Sequence, residues 1–535
     1  MPPFHYIITP IKNGPFRPPP ARKSATRAAA PRRQPRRPES RQIPIKKGFR
    51  RHRQHPAADR TSKMDTKEIL GYAAGSIGCA ILAVIILPLL SWYFPADDIG
   101  RIVLMQTAAG LAMSVLCLGL DQAYIREYNA AADKDILFKA LFLPPLLSAA
   151  AIAAFLLSPP ALPSEILFSL DDAAAGIGLV LFGLSLLPIR FLLLVLRMEG
   201  RALAFSSAQL VPKSALLLLL LTVWLLHFPA RTAVLTSVYA LANLAAAAFL
   251  LFQNRCRLKA VRRAPFSPAV LHRGLRYGIP LALDSLAYWG LTSADRLFLK
   301  KYAGLEQLGI YSMGISFGGA ALLFQSIFST VWTPYIFRAI EKNAPPTRLS
   351  ATAESVAALL AAALCLTGIF SPLTSLLLPE NYAAVRFTVV SCMLPPLFCT
   401  LAEISGIGLN VVRKTRPIAF ATLGALAANL LLLGLSVPAG GARGAAVACA
   451  ASFWLFFVFK TESSCRLWQP LKRLPLYMHT LFCLASSAAY TCFGTPANYP
   501  LFAGVWAAYL AGCILRHRKN LHKLFHYLKK QGFPL

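Results

Sequence analysis

Four charged side chains stand inside long apolar runs, Arg190, Lys213, Asp284 and Glu403, and a fifth, Arg296, stands just past the outer end of one. A charge near the middle of a bilayer costs about 2.5–3.5 kcal/mol even on lenient insertion scales, so each needs a partner or a task. Lys213 shares a helical face with Ser206 and Gln209, at spacings of three and seven residues. Asp284 belongs to a second polar stripe, Tyr277, Asp284, Tyr288 and Asp295, spaced seven, four and seven residues apart. Arginine offers phosphate oxygens a planar fork, and lysine offers them a compact point charge. Carboxylates in a partly dry setting can carry protons. Each residue also has a plainer use. Asp284 and Lys213 can pair with each other and hold two helices together. Arg190 can snorkel to the inner interface. Arg296, with Lys300 and Lys301, can anchor an outer one.

The elements around these charges are transmembrane helices. The chain has 535 residues, 56% hydrophobic and 14% charged, against about 25% charged in an ordinary soluble domain. At about 20 residues per span there is room for about fourteen. The apolar runs fall at 68–93, 101–124, 136–157, 173–196, 202–226, 232–252, 274–293, 305–330, 352–371, 386–410, 417–436, 443–460, 476–494 and 499–515. With the N-terminus inside, the inward gaps hold 28 Lys and Arg and the outward gaps 7. This bias places both termini in the cytoplasm. It also accounts for much of the net charge of +33, and nucleic-acid binding is not expected.

Residues 1–63 form a Pro- and Arg-rich tail expected to be disordered. Met64 opens MDTKEILGYAAG directly into the first span and is read as the true start, with 1–63 as translated upstream sequence. The 11 cysteines are scattered through apolar runs and show no metal spacing; no metal or cofactor is expected. Motifs of a membrane enzyme are missing from the sequence. A weak internal repeat relates GYAAG…ADDIGRIVLMQ…AYIREY to RYGIP…LEQLGIYSMG…PYIFRAI, setting Gly100 against Gly309 and Arg126 against Arg338. Repeats of this kind place a transporter's substrate between two halves.

Residues 277–338 resemble the central signature of the polysaccharide transport flippases, the Wzx-type O-antigen and capsule repeat-unit branch of the MOP superfamily. The matching features are Tyr277-Gly278-Ile279-Pro280, Asp295-Arg296 followed by Leu299, Gly309-Ile310-Tyr311-Ser312 and Trp332-Thr333-Pro334, with LGLDQAYIREYN at 118–129 in the first half. The resemblance implies an all-α integral membrane fold of two six-helix lobes around a central cavity, similar to MATE exporters. The lobes would be 64–252 and 274–460, joined by a basic cytoplasmic linker at 253–273. Two extra helices in 461–515 and a basic cytoplasmic tail at 516–535 would follow. The implied activity is translocation of undecaprenyl-pyrophosphate-linked oligosaccharides across a bacterial inner membrane, with no catalytic chemistry. The alternatives are a MATE-like drug or cation exporter and, behind it, a membrane-bound polysaccharide polymerase or ligase. On this reading Lys213, Arg296 and Arg190 bind substrate, and Asp284 and Glu403 couple transport to a proton or sodium ion. A polysaccharide polymerase and a chain-length regulator are the protein partners implied, alongside membrane lipids.

A reporter fused after residue 515 is expected to read out as cytoplasmic, and one within 158–171 as external. The opposite result at either site would show that a span has been miscounted.

Overall fold

A computed structural model of the chain describes residues 66–341, 349–412, 414 and 416–530. The tail 1–63 lies outside the described residues. Among those described there are helices and no strands. In chain order the helices are α1 (Thr66–Tyr93), α2 (Ala96–Cys117), α3 (Leu120–Glu127), α4 (Lys134–Leu156), α5 (Leu162–Phe168) and α6 (Ala173–Met198). Next come α7 (Ala202–Leu225), α8 (Thr232–Gln253), α9 (Arg255–Arg263), α10 (Pro268–Tyr302), α11 (Gly304–Glu341) and α12 (Leu349–Phe370). The last six are α13 (Thr374–Leu377), α14 (Val385–Ser405), α15 (Ile407–Val411), α16 (Arg416–Leu467), α17 (Arg473–Phe493) and α18 (Tyr499–Lys530).

Every expected span falls on a helix. Nine helices among the described residues are long and apolar enough to cross a membrane. Large apolar side chains such as Leu203, Phe155 and Leu225 lie exposed on their flanks, as a lipid-facing surface requires. Two helix starts, those of α4 and α6, are capped by an aspartate side chain. Asp133 accepts from the N–H groups of Asp135 and Ile136 at 2.8 and 3.1 Å, and Asp172 does the same for Ala174 and Ala175.

Three local features depart from the sequence expectation, one being the division of the span expected over 386–410 into α14 and α15 at Gly406. The span expected over 101–124 is two helices, because Leu118 and Gly119 both take positive φ between α2 and α3. Helix α16 joins the spans expected at 417–436 and 443–460 across Gly441, which turns at φ 49° and ψ −130°. The Gln307 side chain fills that turn by accepting from the Ala442 N–H at 3.2 Å.

In the first half α6 and α7 both pack on α8; in the second half α14 packs on α11 and α16, and α10 on α16. The seam between the halves is α2 against α10 and α11. Two pairs of glycines set how close the seam is. A Cβ on Gly100 would lie 2.3 Å from the Leu305 carbonyl oxygen, and one on Gly309 would lie 2.1 Å from that of Ala96. These are the two glycines that the internal repeat sets in register, and they meet across the seam. At the other end of α2, a Cβ on Gly119 would lie 2.2 Å from the Gly278 oxygen, and one on Gly278 would lie 2.5 Å from the Leu118 oxygen.

The buried apolar side chains divide accordingly. One cluster joins both halves at the ends that the charge bias assigns to the outside, and includes Leu90, Leu104, Leu235, Leu308, Tyr311 and Leu433. There are two further clusters. One, toward the inside, with Leu120, Tyr124, Phe138, Phe191 and Leu250, is drawn from the first half. The other, with Leu364, Phe398, Phe457 and Trp506, runs along the second half and α17 and α18.

Gly309→Ala forces backbone apart at the seam, and overpacking of this sort costs about 1–3 kcal/mol. The purified variant is expected to melt several degrees below the parent. Gly183→Ala is the control: a Cβ there meets nothing within 4 Å.

Candidate functional site

The charged residues singled out in the sequence fall into four separate settings. Arg190, on α6, reaches Asp121 at the start of α3, with Nε at 3.0 Å and Nη2 at 2.5 Å from Oδ2. Asp121 is almost fully buried, with 5% of its side chain exposed against 34% for Arg190. The arginine is therefore held by a buried carboxylate from the motif at 118–129. Its guanidinium edge remains partly open.

Arg296 folds back on its own helix. Its guanidinium donates to the Thr292 carbonyl and, at 3.0 Å, to Asp295. Tyr311 on α11 donates its hydroxyl to the same carboxylate, which is buried. Signature residues Asp295, Arg296 and Tyr311 thus tie α10 to α11. The neighbouring Lys300 donates to the Leu167 carbonyl at 2.6 Å, at the C-terminal end of α5. That contact gives an outer basic residue a favourable place at a helix C-terminus.

Lys213 lies midway along α7. Its stripe faces α1, where a Cβ on Gly75 would come within 2.8 Å of the Ser206 Cα. The Cys79 thiol donates to the Gln209 carbonyl at 3.2 Å. Cys79 is also the titratable group that acts on Lys213 electrostatically. Among the described residues Lys213 joins no ion pair, so the direct pairing with Asp284 that the sequence allowed is not formed. The Gln209 Oε1, one turn away, is buried without a hydrogen-bond partner.

Asp284 and Glu403 share a charged neighbour in the second half, one that the sequence places in an inner gap. Gln325 of α11 donates to Glu403 Oε1 at 3.3 Å. Glu403 Oε2 is buried without a partner. The charge acting on both carboxylates is Lys460 of α16. In sequence Lys460 ends the run FWLFFVFK and looks like the first residue of a basic inner gap. In the structure it is within α16, packed over Gly406, where a Cβ would lie 3.1 Å from its Cε. Among the described residues no group of three or more His, Cys, Asp or Glu is suited to hold a metal ion.

The helical architecture is one shared with known membrane transporters. The structure is similar to that of lipid II flippase MurJ in its inward closed conformation, with a TM-score of 0.63 and 9% identity, covering 84% of this chain and 99% of that one. An inward-facing multidrug resistance MATE family transporter of the MOP superfamily is more distant, with a TM-score of 0.49, 14% identity and coverage of 78% and 94%. No curated protein matches the sequence. Residues 66–340, just over half of the chain, match the polysaccharide biosynthesis protein family, and the chain belongs to it. It is a multi-pass membrane protein of that family with a transporter fold.

Removing Arg190 leaves Asp121 as an uncompensated buried charge, a loss on the order of 3 kcal/mol. Arg190→Leu is expected to lower the melting temperature of the purified protein. Adding Asp121→Leu to the same chain should recover most of it; no recovery would mean that the pair carries little of the fold.

Proposed function

We propose that this protein is a flippase that carries undecaprenyl-pyrophosphate-linked oligosaccharide repeat units across the bacterial inner membrane, by alternating access. The observation that supports the reading is the conjunction of family and fold: a polysaccharide biosynthesis protein sequence folded like a flippase whose name states a lipid-linked substrate. A pyrophosphate crossing a bilayer needs cations along its route, because an unpaired charge in an apolar setting costs many kcal/mol. Lys213 is the first candidate to meet it, since among the described residues no carboxylate neutralises it. Arg296 and Arg190 stand behind it, each using part of its guanidinium on an aspartate. The lipid tail stays in the bilayer beside the lobes, and only the headgroup passes between them.

Asp284 and Glu403 are the coupling residues in this scheme, exchanging a proton or a sodium ion as the lobes rock. Both termini are cytoplasmic, and about fourteen helices cross the membrane. A polymerase and a chain-length regulator act on the exported units.

Lys213→Ala is expected to reduce polysaccharide export on the order of tenfold or more, the effect of losing about 1.4 kcal/mol or more of charge-assisted binding, with protein levels unchanged. Lys213→Arg should retain part of the activity. Since Lys213 and Asp284 are not paired, adding Asp284→Ala should not restore export. Restoration in that double variant, or full export in Lys213→Ala, would defeat this reading of the site.

A further inference from the structure

Three helices of the second half carry the same two-layer pattern. In the first layer the Tyr288 hydroxyl of α10 lies 3.8 Å from the Cys399 sulfur of α14. The Tyr288 ring lies 6.5 Å from that of Phe456 on α16. Four residues on from each contact stands a charge: Asp284 behind Tyr288, Glu403 ahead of Cys399 and Lys460 ahead of Phe456. Four residues make about one turn, about 6 Å of rise. Helix α10 is read backwards and the other two forwards, as antiparallel neighbours require, so all three steps lead the same way. The three charges therefore reach one level, on three different helices, one turn to the inner side of the aromatic contact.

The second layer agrees with that placement. The Lys460 ammonium sits 5.2 Å from the centre of its own Phe456 ring. Glu403, Asp284 and the Cys399 thiol are the titratable groups that act on it. Tyr288 and Cys449 are further titratable groups around the layer, and Gln325 of α11 donates to Glu403 Oε1 at 3.3 Å. Among the described residues none of the three charges is locked to another in an ion pair.

We propose that Asp284, Glu403 and Lys460 form one proton-exchange site, in which the Lys460 ammonium is a tethered counter-ion standing where a metal cation would otherwise be needed. This deepens the flippase reading and rests on it. With all three groups ionised the site carries one net negative charge, and one proton neutralises it. A sodium ion would have to enter beside a fixed ammonium and gather several oxygen ligands. A proton needs one carboxylate oxygen, and Glu403 Oε2 is buried with its hydrogen-bonding capacity unused. The proton bonds to that oxygen from the water of one side and leaves to the water of the other, with no other bond made or broken.

The test uses melting temperatures of the purified full chain, in sodium chloride and in choline chloride, at about pH 6 and about pH 8. The parent is expected to melt within about 1 °C in the two salts. Lys460→Met strips the carboxylates of their counter-ion, so its loss should be several degrees larger at the higher pH, where they are ionised. Glu403→Gln in the same chain should remove that difference. If Lys460→Met does not accumulate, accumulation of the Lys460→Met/Glu403→Gln chain supports the proposal, and its absence counts against it. A sodium-specific rise in the parent would overturn the proposal in favour of a metal-ion site. An equal loss at both pH values, unrelieved by Glu403→Gln, would reduce Lys460 to a packing residue. None of these readings uses export, so failure of the flippase assignment would show separately, in the Lys213 variants.

Discussion

The two halves of this protein can meet because four glycines let backbone touch backbone. At Gly100 and Gly309 the missing side chains leave carbonyl oxygens of the opposite helix where a Cβ would be. Without strong hydrophobic attraction between helices in lipid, close backbone approach and interhelical polar contacts carry association. Lys300 of α10 crosses the same boundary to reach the Leu167 carbonyl at the end of α5. Within the second half the helices that form the seam are held to each other and to α16, where Asp295 receives the Tyr311 hydroxyl and the Gln307 side chain caps the second part of α16.

The seam is not the same at its two ends. Around Gly100 and Gly309 the contact is embedded in an apolar cluster drawn from both halves. Around Gly119 and Gly278 the buried apolar side chains are those of the first half, and Val270, Leu271, Leu275 and Tyr277 of α10 pack against them. A Cβ on Gly274 of α10 would lie 2.5 Å from the Leu141 side chain, and Arg126 stacks 4.1 Å over the Tyr277 ring. The outer end is thus a core drawn from both halves, and the inner end is a first-half core covered by one helix of the second.

The helical architecture was legible because apolar runs and basic gaps are strong, redundant signals. The family signature was legible for a reason visible only afterwards. Gly278 and Gly309 meet backbone of the first half, Asp295 and Tyr311 tie together the two helices that carry them, and the spacing of the four records a packing solution more than a substrate. Charges inside apolar runs could be found in the sequence, but their partners could not. Asp121 escaped attention because a continuous span was expected where Leu118 and Gly119 break the helix, and Lys460 because an apolar run that ends in lysine reads as a span that ends there. In both cases the missing information was where a helix stops, which hydropathy alone resolves poorly. Tyr288 could be read from its polar stripe with Asp284, but the thiol and phenylalanine beside Glu403 and Lys460 carry no signal of their own until three helices set them side by side.

The break at Leu118 and Gly119 also bears on how the molecule can move. A continuous helix transmits a displacement along its length as a rigid rod, and α2 lies against both α10 and α11. Because α2 ends at two residues in the left-handed region, α3 starts afresh there, with the Gly119 carbonyl accepting from the Ala123 N–H at 3.0 Å. The segment bearing Asp121, and through it Arg190, is therefore a separate helical piece at the inner rim, not a continuation of the one that seats Gly100 at the outer rim. A change in the occupancy of one rim then need not be felt as strain at the other.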